Sequence, residues 1–238
     1  MRLHLLGING PYPASGCATS GYFLEAGPAL LQFDFGSGIL SRLTEICPPE
    51  EIDALFLSHW HFDHVSDLLP LIYRLEALGR SLPVYAPLDE ESAVWQIANL
   101  TGCLMLHNIK PGDIISIKNV EIQVAEARHP VPTIGFRVEY NRKSIGYTGD
   151  TNVFPSLTDL YRRVDLLLAD GLFPKENWSE GKPHLSAIQA AILARDAEVN
   201  QLVITHLNPV YSPSLLLREA RAFFPGAQIA KAGAVISL

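Results

Sequence analysis

The chain has 238 residues, 48% of them hydrophobic and 18% charged, an ordinary content for a soluble globular protein with a substantial core. Its 18 basic and 25 acidic residues leave a net charge of −7, which disfavours the Lys/Arg-dense surface that nonspecific nucleic-acid binding needs. No apolar run approaches the ~20 residues of a membrane helix, and Met1-Arg2-Leu3-His4-Leu5-Leu6-Gly7 is broken too soon to be a secretory leader.

Apolar, β-branched and aromatic runs predict strands at 2–6, 22–26 and 29–34, then a helix over 38–46. A strand at 54–58 leads into a helix over 64–79, whose Val65, Leu68, Leu69, Ile72, Leu75 and Leu78 form a stripe at helical spacing. There follow a strand at 83–86, a helix over 89–101, and strands at 120–125, 134–140 and 144–148. The remainder alternates: helix 156–163, strand 165–169, helix 185–197, strand 201–205, helix 213–223 and strand 234–238. Between 170 and 184 the Gly- and Pro-containing segment predicts an irregular loop. No linker or repeat divides the chain, so residues 1–238 are expected to form one layered α/β or α+β domain. Cys17, Cys47 and Cys103 are odd in number and lack metal-ligand spacing, which suits reduced thiols in a cytoplasmic protein.

The run Ser58-His59-Trp60-His61-Phe62-Asp63-His64 places three imidazoles and a carboxylate in six consecutive positions after an apolar strand. His59 and His61 are two apart and point the same way in extended backbone, while Asp63 and His64 fall where the chain bends into a helix. Imidazole nitrogens and carboxylate oxygens are the usual donors to zinc and similar divalent ions. A solvated loop rich in His by chance is the plain alternative, and four ligand-type residues in six weigh against it.

His-x-His-x-Asp-His after an apolar strand resembles the signature of the metallo-β-lactamase superfamily of hydrolases. Later elements fit in order: His129 in Ala127-Arg128-His129-Pro130, Asp150 in Thr148-Gly149-Asp150-Thr151, and His206 after Val203-Ile204-Thr205. The resemblance spans nearly the whole chain and implies an α+β sandwich of four layers, αββα, with metals at one edge. It implies two divalent ions, zinc first and manganese or iron as alternatives. His59, His61 and His129 would hold one, Asp63, His64 and His206 the other, with Asp150 between them and a shared hydroxide as nucleophile. Asp63 would also accept a hydrogen bond from that hydroxide. Asp34, in Asp34-Phe35-Gly36, matches the family's Asp-x-Gly element and is expected to support a ligand rather than to ligate. His4 and His107 match nothing.

Lys182-Pro183-His184-Leu185-Ser186 resembles the branch that contains ribonuclease Z and phosphodiesterases. The loop Ala18-Thr19-Ser20-Gly21 fits that branch as well. There the His before a late helix gives a proton to the leaving oxygen, steadied by an acid on the preceding strand. Asp170 takes that acid's place, where ribonuclease Z typically has Glu. A surface His capping the helix is the plain reading of His184. Ribonuclease Z also carries a long basic arm between the positions of His129 and Asp150, and only residues 130–149 lie between them here. With the acidic charge, this points to small or cyclic phosphodiesters, or nucleotide-like substrates, and away from large RNA. Rival readings on the same scaffold are a lactonase, thioesterase or β-lactamase-like enzyme, a ribonuclease Z-type endonuclease, and a non-catalytic metal-stabilised module. Homodimers are common in that branch, although the sequence itself does not set the oligomeric state. Phe173 or Trp178 is expected to border the pocket mouth, with Trp178 packing its own loop as the alternative.

Overall fold

The computed structural model describes residues 1–238. The first half of the chain lays down β1 (Arg2–Gly7), β2 (Gly21–Ala26), β3 (Ala29–Phe33), β4 (Ala54–Phe56), β5 (Leu82–Ala86) and β6 (Leu104–Asn108). Around them run α1 (Ile39–Thr44), α2 (Phe62–Val65), α3 (Leu68–Leu78) and α4 (Ala93–Leu100). The second half adds β7 (Ile114–Ile117), β8 (Val120–Glu126), β9 (Ile134–Tyr140), β10 (Lys143–Tyr147), β11 (Leu166–Asp170), β12 (Gln201–Thr205) and β13 (Gln228–Ile229). Its helices are α5 (Leu157–Leu160), α6 (Ala187–Asp196) and α7 (Pro213–Arg221), and the chain returns to the first sheet as β14 (Val235–Ser237).

Two seven-stranded sheets result, ordered β14-β1-β2-β3-β4-β5-β6 and β13-β12-β11-β10-β9-β8-β7. Each is antiparallel on one side and parallel on the other: β3 to β6 and β10 to β13 run parallel. Parallel neighbours need a crossover long enough to return the chain, and most of the helices lie in those crossovers. Strand alternation then sorts the side chains. Tyr22, Leu24 and Phe56 face the space between the sheets with Phe136, Val138 and Tyr147, whereas Phe23 and Leu55 face outward onto Leu43, Leu71 and Leu75. Helices therefore cover the outer faces, and the order of layers is αββα, as the resemblance implies.

All eleven expected strands form, and three more appear. β6 and β7 are mostly exposed, so their sequences lack a clean apolar alternation, and β13 has only two residues. The helix expected over 64–79 is broken into α2 and α3. Asp67 is the cause: its N–H bonds to the Phe35 carbonyl and its carboxylate accepts from Leu40 N, which ties the chain to α1 at that point. The helix expected from 89 starts only at Ala93, where Ser92 caps it by accepting from Trp95 N.

Candidate metal centre

Strand ends deliver the donors. His59 lies three residues past β4, Asp150 three past β10, His129 three past β8, and His206 directly after β12. Ligand sites of α/β sheets lie off the carboxyl ends of parallel strands for this reason, since rigid strands fix the loops that follow them. His206 has φ 55° and Asp34 φ 52°, the left-handed region that a non-glycine residue rarely adopts. Gly10 packs against the His206 ring so closely that a Cβ there would come within 2.0 Å of Nε2.

Seven expected donors converge in two groups. His61 Nδ1 lies 2.9 Å from His59 Nε2 and 3.1 Å from His129 Nε2. Nitrogens bound at ~2.0–2.1 Å to a tetrahedral ion stand ~3.3 Å apart, so this triangle has nearly the size a cation needs. In the second group His206 Nε2 is 3.1 Å from Asp63 Oδ2, and His64 Nε2 is 3.6 Å from the same oxygen. Asp150 stands between the groups: Oδ2 lies 3.5 Å from His59 Nε2 and 3.3 Å from His64 Nε2, and Oδ1 lies 3.4 Å from His206 Nε2. His64 Nε2 and Asp150 Oδ1 are buried with no hydrogen-bond partner. An unpaired buried polar atom costs about 1–3 kcal/mol, and a cation at their common focus removes that penalty. The donor set fits divalent metal.

The far ring nitrogens are anchored. Asp34, fully buried, holds His64 Nδ1 at 2.7 Å and also accepts from Ser58 N, Ser58 Oγ and Tyr147 OH. Ser58 Oγ lies 3.0 Å from His59 Nδ1, and the Pro183 carbonyl accepts from His129 Nδ1 at 3.0 Å. Partners of this kind fix tautomer and ring orientation. Asp34 was legible in the sequence. Ser58 and Tyr147 were not singled out there, although each lies within three residues of a donor.

Charge balance follows from burial. Desolvation lowers the pKa of His59, and of His61 and His129 less strongly, so these rings are neutral and free to ligate. Burial opposes a charge on His206 as well, but Asp150, Asp170 and Asp63 outweigh it and push its pKa up to about 10. His64 likewise resists desolvation and is held well above the usual range by Asp150, Asp34 and Asp63. Burial raises Asp150, yet His206 and His64 draw it well below the ordinary carboxylate value.

His184 lies at the edge of this cluster, its ring 5.1 Å from His129 and 5.0 Å from His206. Its Nδ1 is 2.9 Å from Asp170 Oδ2. Asp170 also accepts from Thr151 N and Leu172 N and stands 3.6 Å from His206 Nδ1. Asp150, Asp170, His184 and His206 thus converge too, but Asp170 spends its oxygens on N–H groups and suits orienting two histidines better than ligating. In the loop between them, Trp178 donates its indole N–H to the His184 carbonyl and packs the loop. Phe173 is the aromatic beside the site, 6.0 Å from the His184 ring with Lys182 Nζ 5.4 Å over its own. His4, paired with Glu25, and His107, stacked on Tyr85, lie outside the centre.

Comparison with known proteins places this geometry. The family described as beta-lactamase superfamily domain matches residues 26–207. The probable metallo-hydrolase YhfI of Bacillus subtilis is 30% identical over 244 residues, covering 99% of both chains. Ribonuclease Z of Methanopyrus kandleri is 27% identical over 270 residues, covering 98% of this chain and 96% of its own. Among solved structures, YhfI superposes with a TM-score of 0.91 at 28% identity over 99% of this chain and 98% of its own. The short form of human tRNase Z gives 0.81 at 20% over 100% and 99%, and a diphosphatase of the PhnP family 0.76 at 20% over 100% and 97%. Matched along most of its length by the family and end to end by a metallo-hydrolase, the chain belongs to the beta-lactamase superfamily.

Proposed function

We propose that the protein is a two-metal phosphodiesterase acting on small or cyclic phosphodiesters, with His184 as the acid that serves the leaving oxygen. The observation that carries this reading is the His184–Asp170 pair: a histidine outside the donor set, its ring 5.1 Å from His129 and 5.0 Å from His206, held at Nδ1 by a buried carboxylate. Expulsion of an alkoxide from phosphorus calls for such an acid, whereas lactone or thioester opening on this scaffold does not.

His59, His61 and His129 would hold one cation, Asp63, His64 and His206 the other, and Asp150 both. Zinc suits these donors first, with manganese and iron accepted by the same mixed set. Bound there, the ions would acidify water toward neutrality and offset charge on the phosphoryl oxygens. The chain's own residues do the rest. Asp170 fixes the His184 ring so that Nε2 can give its proton to the departing oxygen as the bond from phosphorus to that oxygen breaks and the water oxygen takes its place. Asp63 would accept a hydrogen bond from that water.

Structured RNA is a poor substrate on this reading. β9 and β10 are joined by Asn141 and Arg142 alone, both with positive φ as a tight hairpin turn requires, so no arm projects between His129 and Asp150. The cysteines form no disulfide, which suits the cytoplasm, and no helix is long and apolar enough to cross a membrane.

Turnover of bis-p-nitrophenyl phosphate with Zn²⁺ or Mn²⁺ tests the class, and His184→Ala tests the role. The variant should lose about 10²–10⁴ in kcat with its metal content unchanged. Hydrolysis of lactone or thioester probes with no phosphodiester turnover, or a wild-type rate from the variant, overturns the proposal.

A further inference from the structure

Phe62 occupies the position between two proposed ligands, His61 and Asp63, and its side chain is 71% exposed. A ring left in water contributes little to the fold, since the ~1.5–3 kcal/mol of a buried phenylalanine is mostly unrealised. Beside it opens a cavity of about 290 Å³, walled by Trp60, His61, Phe62, Pro130, Val131 and Pro132 on its largely apolar side. His61 belongs to both the cavity wall and the donor triangle, so the cavity adjoins the proposed metal site at that side chain. Asp89 and Glu91 also line it, neither with an ion-pair partner, and no Lys or Arg does. Phe173, Lys182 and His184 form no part of this wall. They cluster instead beyond His129, on the side where the proton donor stands.

We propose that the cavity beside Phe62 is the subsite for the organic group that stays on phosphorus, and that it takes a planar aromatic ring, uncharged or bearing N–H donors, and rejects an anionic one. The proposal rests on the phosphodiester reading above. A leaving oxygen must lie by His184 to receive its proton, so a group lodged on the His61 side, away from that acid, is the one retained. The Phe62 face offers stacking to a flat ring. The free carboxylates of Asp89 and Glu91 accept hydrogen bonds from ring N–H groups and repel negative charge. A cavity of this volume holds one ring system with little room for more.

Calorimetric titration of the zinc-loaded protein with methyl, phenyl and 4-carboxyphenyl phosphate tests this without any turnover. Phenyl phosphate should bind about tenfold more tightly than methyl phosphate, within the usual worth of stacking one ring. In Phe62→Ala that ratio should fall to near unity with bound zinc unchanged, and Phe62→Tyr should restore it. 4-Carboxyphenyl phosphate should lose the phenyl advantage in the wild type and regain it in Asp89→Asn/Glu91→Gln. Equal binding of methyl and phenyl phosphate, a ratio that survives Phe62→Ala, or a carboxylate penalty unmoved by the double variant each overturns the proposal. Failure of the phosphodiesterase reading shows separately, as absent turnover of bis-p-nitrophenyl phosphate by a protein that keeps the phenyl preference.

Discussion

Asp34 is surrounded by donors: Ser58 N and Oγ, His64 Nδ1 and Tyr147 OH all converge on one buried carboxylate. Replacing its charge leaves the shape and removes the pull on His64, so Asp34→Asn should weaken metal binding about 10–100-fold, read by competition with a chelator. Unchanged affinity would make Asp34 a packing residue only. His206 supplies a second prediction. Without metal its imidazole is protonated at neutral pH, because Asp150, Asp170 and Asp63 outweigh burial and push its pKa up to about 10. That pairing stabilises the metal-free chain fully below pH ~6.5, and the stabilisation is lost as pH rises through about 10. A cation at Nε2 has to displace this proton, so binding should release protons at pH 7.5 and tighten as pH rises. Titrations in two buffers of different ionisation enthalpy report the release, and identical heats would contradict it. Much of the residue scale was legible: five of the chain's eight histidines, all expected donors, sit in short motifs. What was hidden were contacts made across sheets, such as Tyr147 with Asp34 at a separation of 113 residues, which no local pattern encodes.

Elements carry their own lesson. The central strands announced themselves, because two-sided burial selects continuous apolar runs such as Leu166–Ala169 within β11. Edge strands did not: β7 is only four residues, Ile114 to Ile117, and its half-buried and exposed positions do not alternate in polarity. The broken helix after Asp63 was hidden for a different reason: its stripe is continuous in sequence, and only the tie from Asp67 to Phe35 and Leu40 interrupts it. The loop of Gly10 shows how an element without regular structure shapes the centre. A Cβ at Gly10 would meet Nε2, Cε1 and Cδ2 of His206, so Gly10→Ala should displace that ring. Bound metal should then drop in the Asp63–His64–His206 group first, leaving the triangle of His59, His61 and His129 filled. Elemental analysis giving the wild-type stoichiometry would count against the contact.

Across the whole molecule the proposed donors divide by sheet. His59, His61, Asp63 and His64 follow β4 of the first, whereas His129, Asp150 and His206 follow strands of the second. Metal bound by both groups braces the sandwich from one edge. At free metal ~100-fold above Kd the gain is about 2.7 kcal/mol, so chelation should lower Tm by roughly 5–10 °C for a chain of this size. A melting point indifferent to chelator would mean the ions add nothing to the fold. The same division has a consequence for a severed chain. Lys110, Pro111 and Gly112 form an exposed turn between β6 and β7, and a cut there leaves each fragment with an incomplete donor set. Neither piece alone could retain the ions, while the two together could. Reassembly in trans should therefore be driven by metal, saturating at lower fragment concentration as zinc is raised, and the two halves of the protein would behave as a reporter of the cation they share.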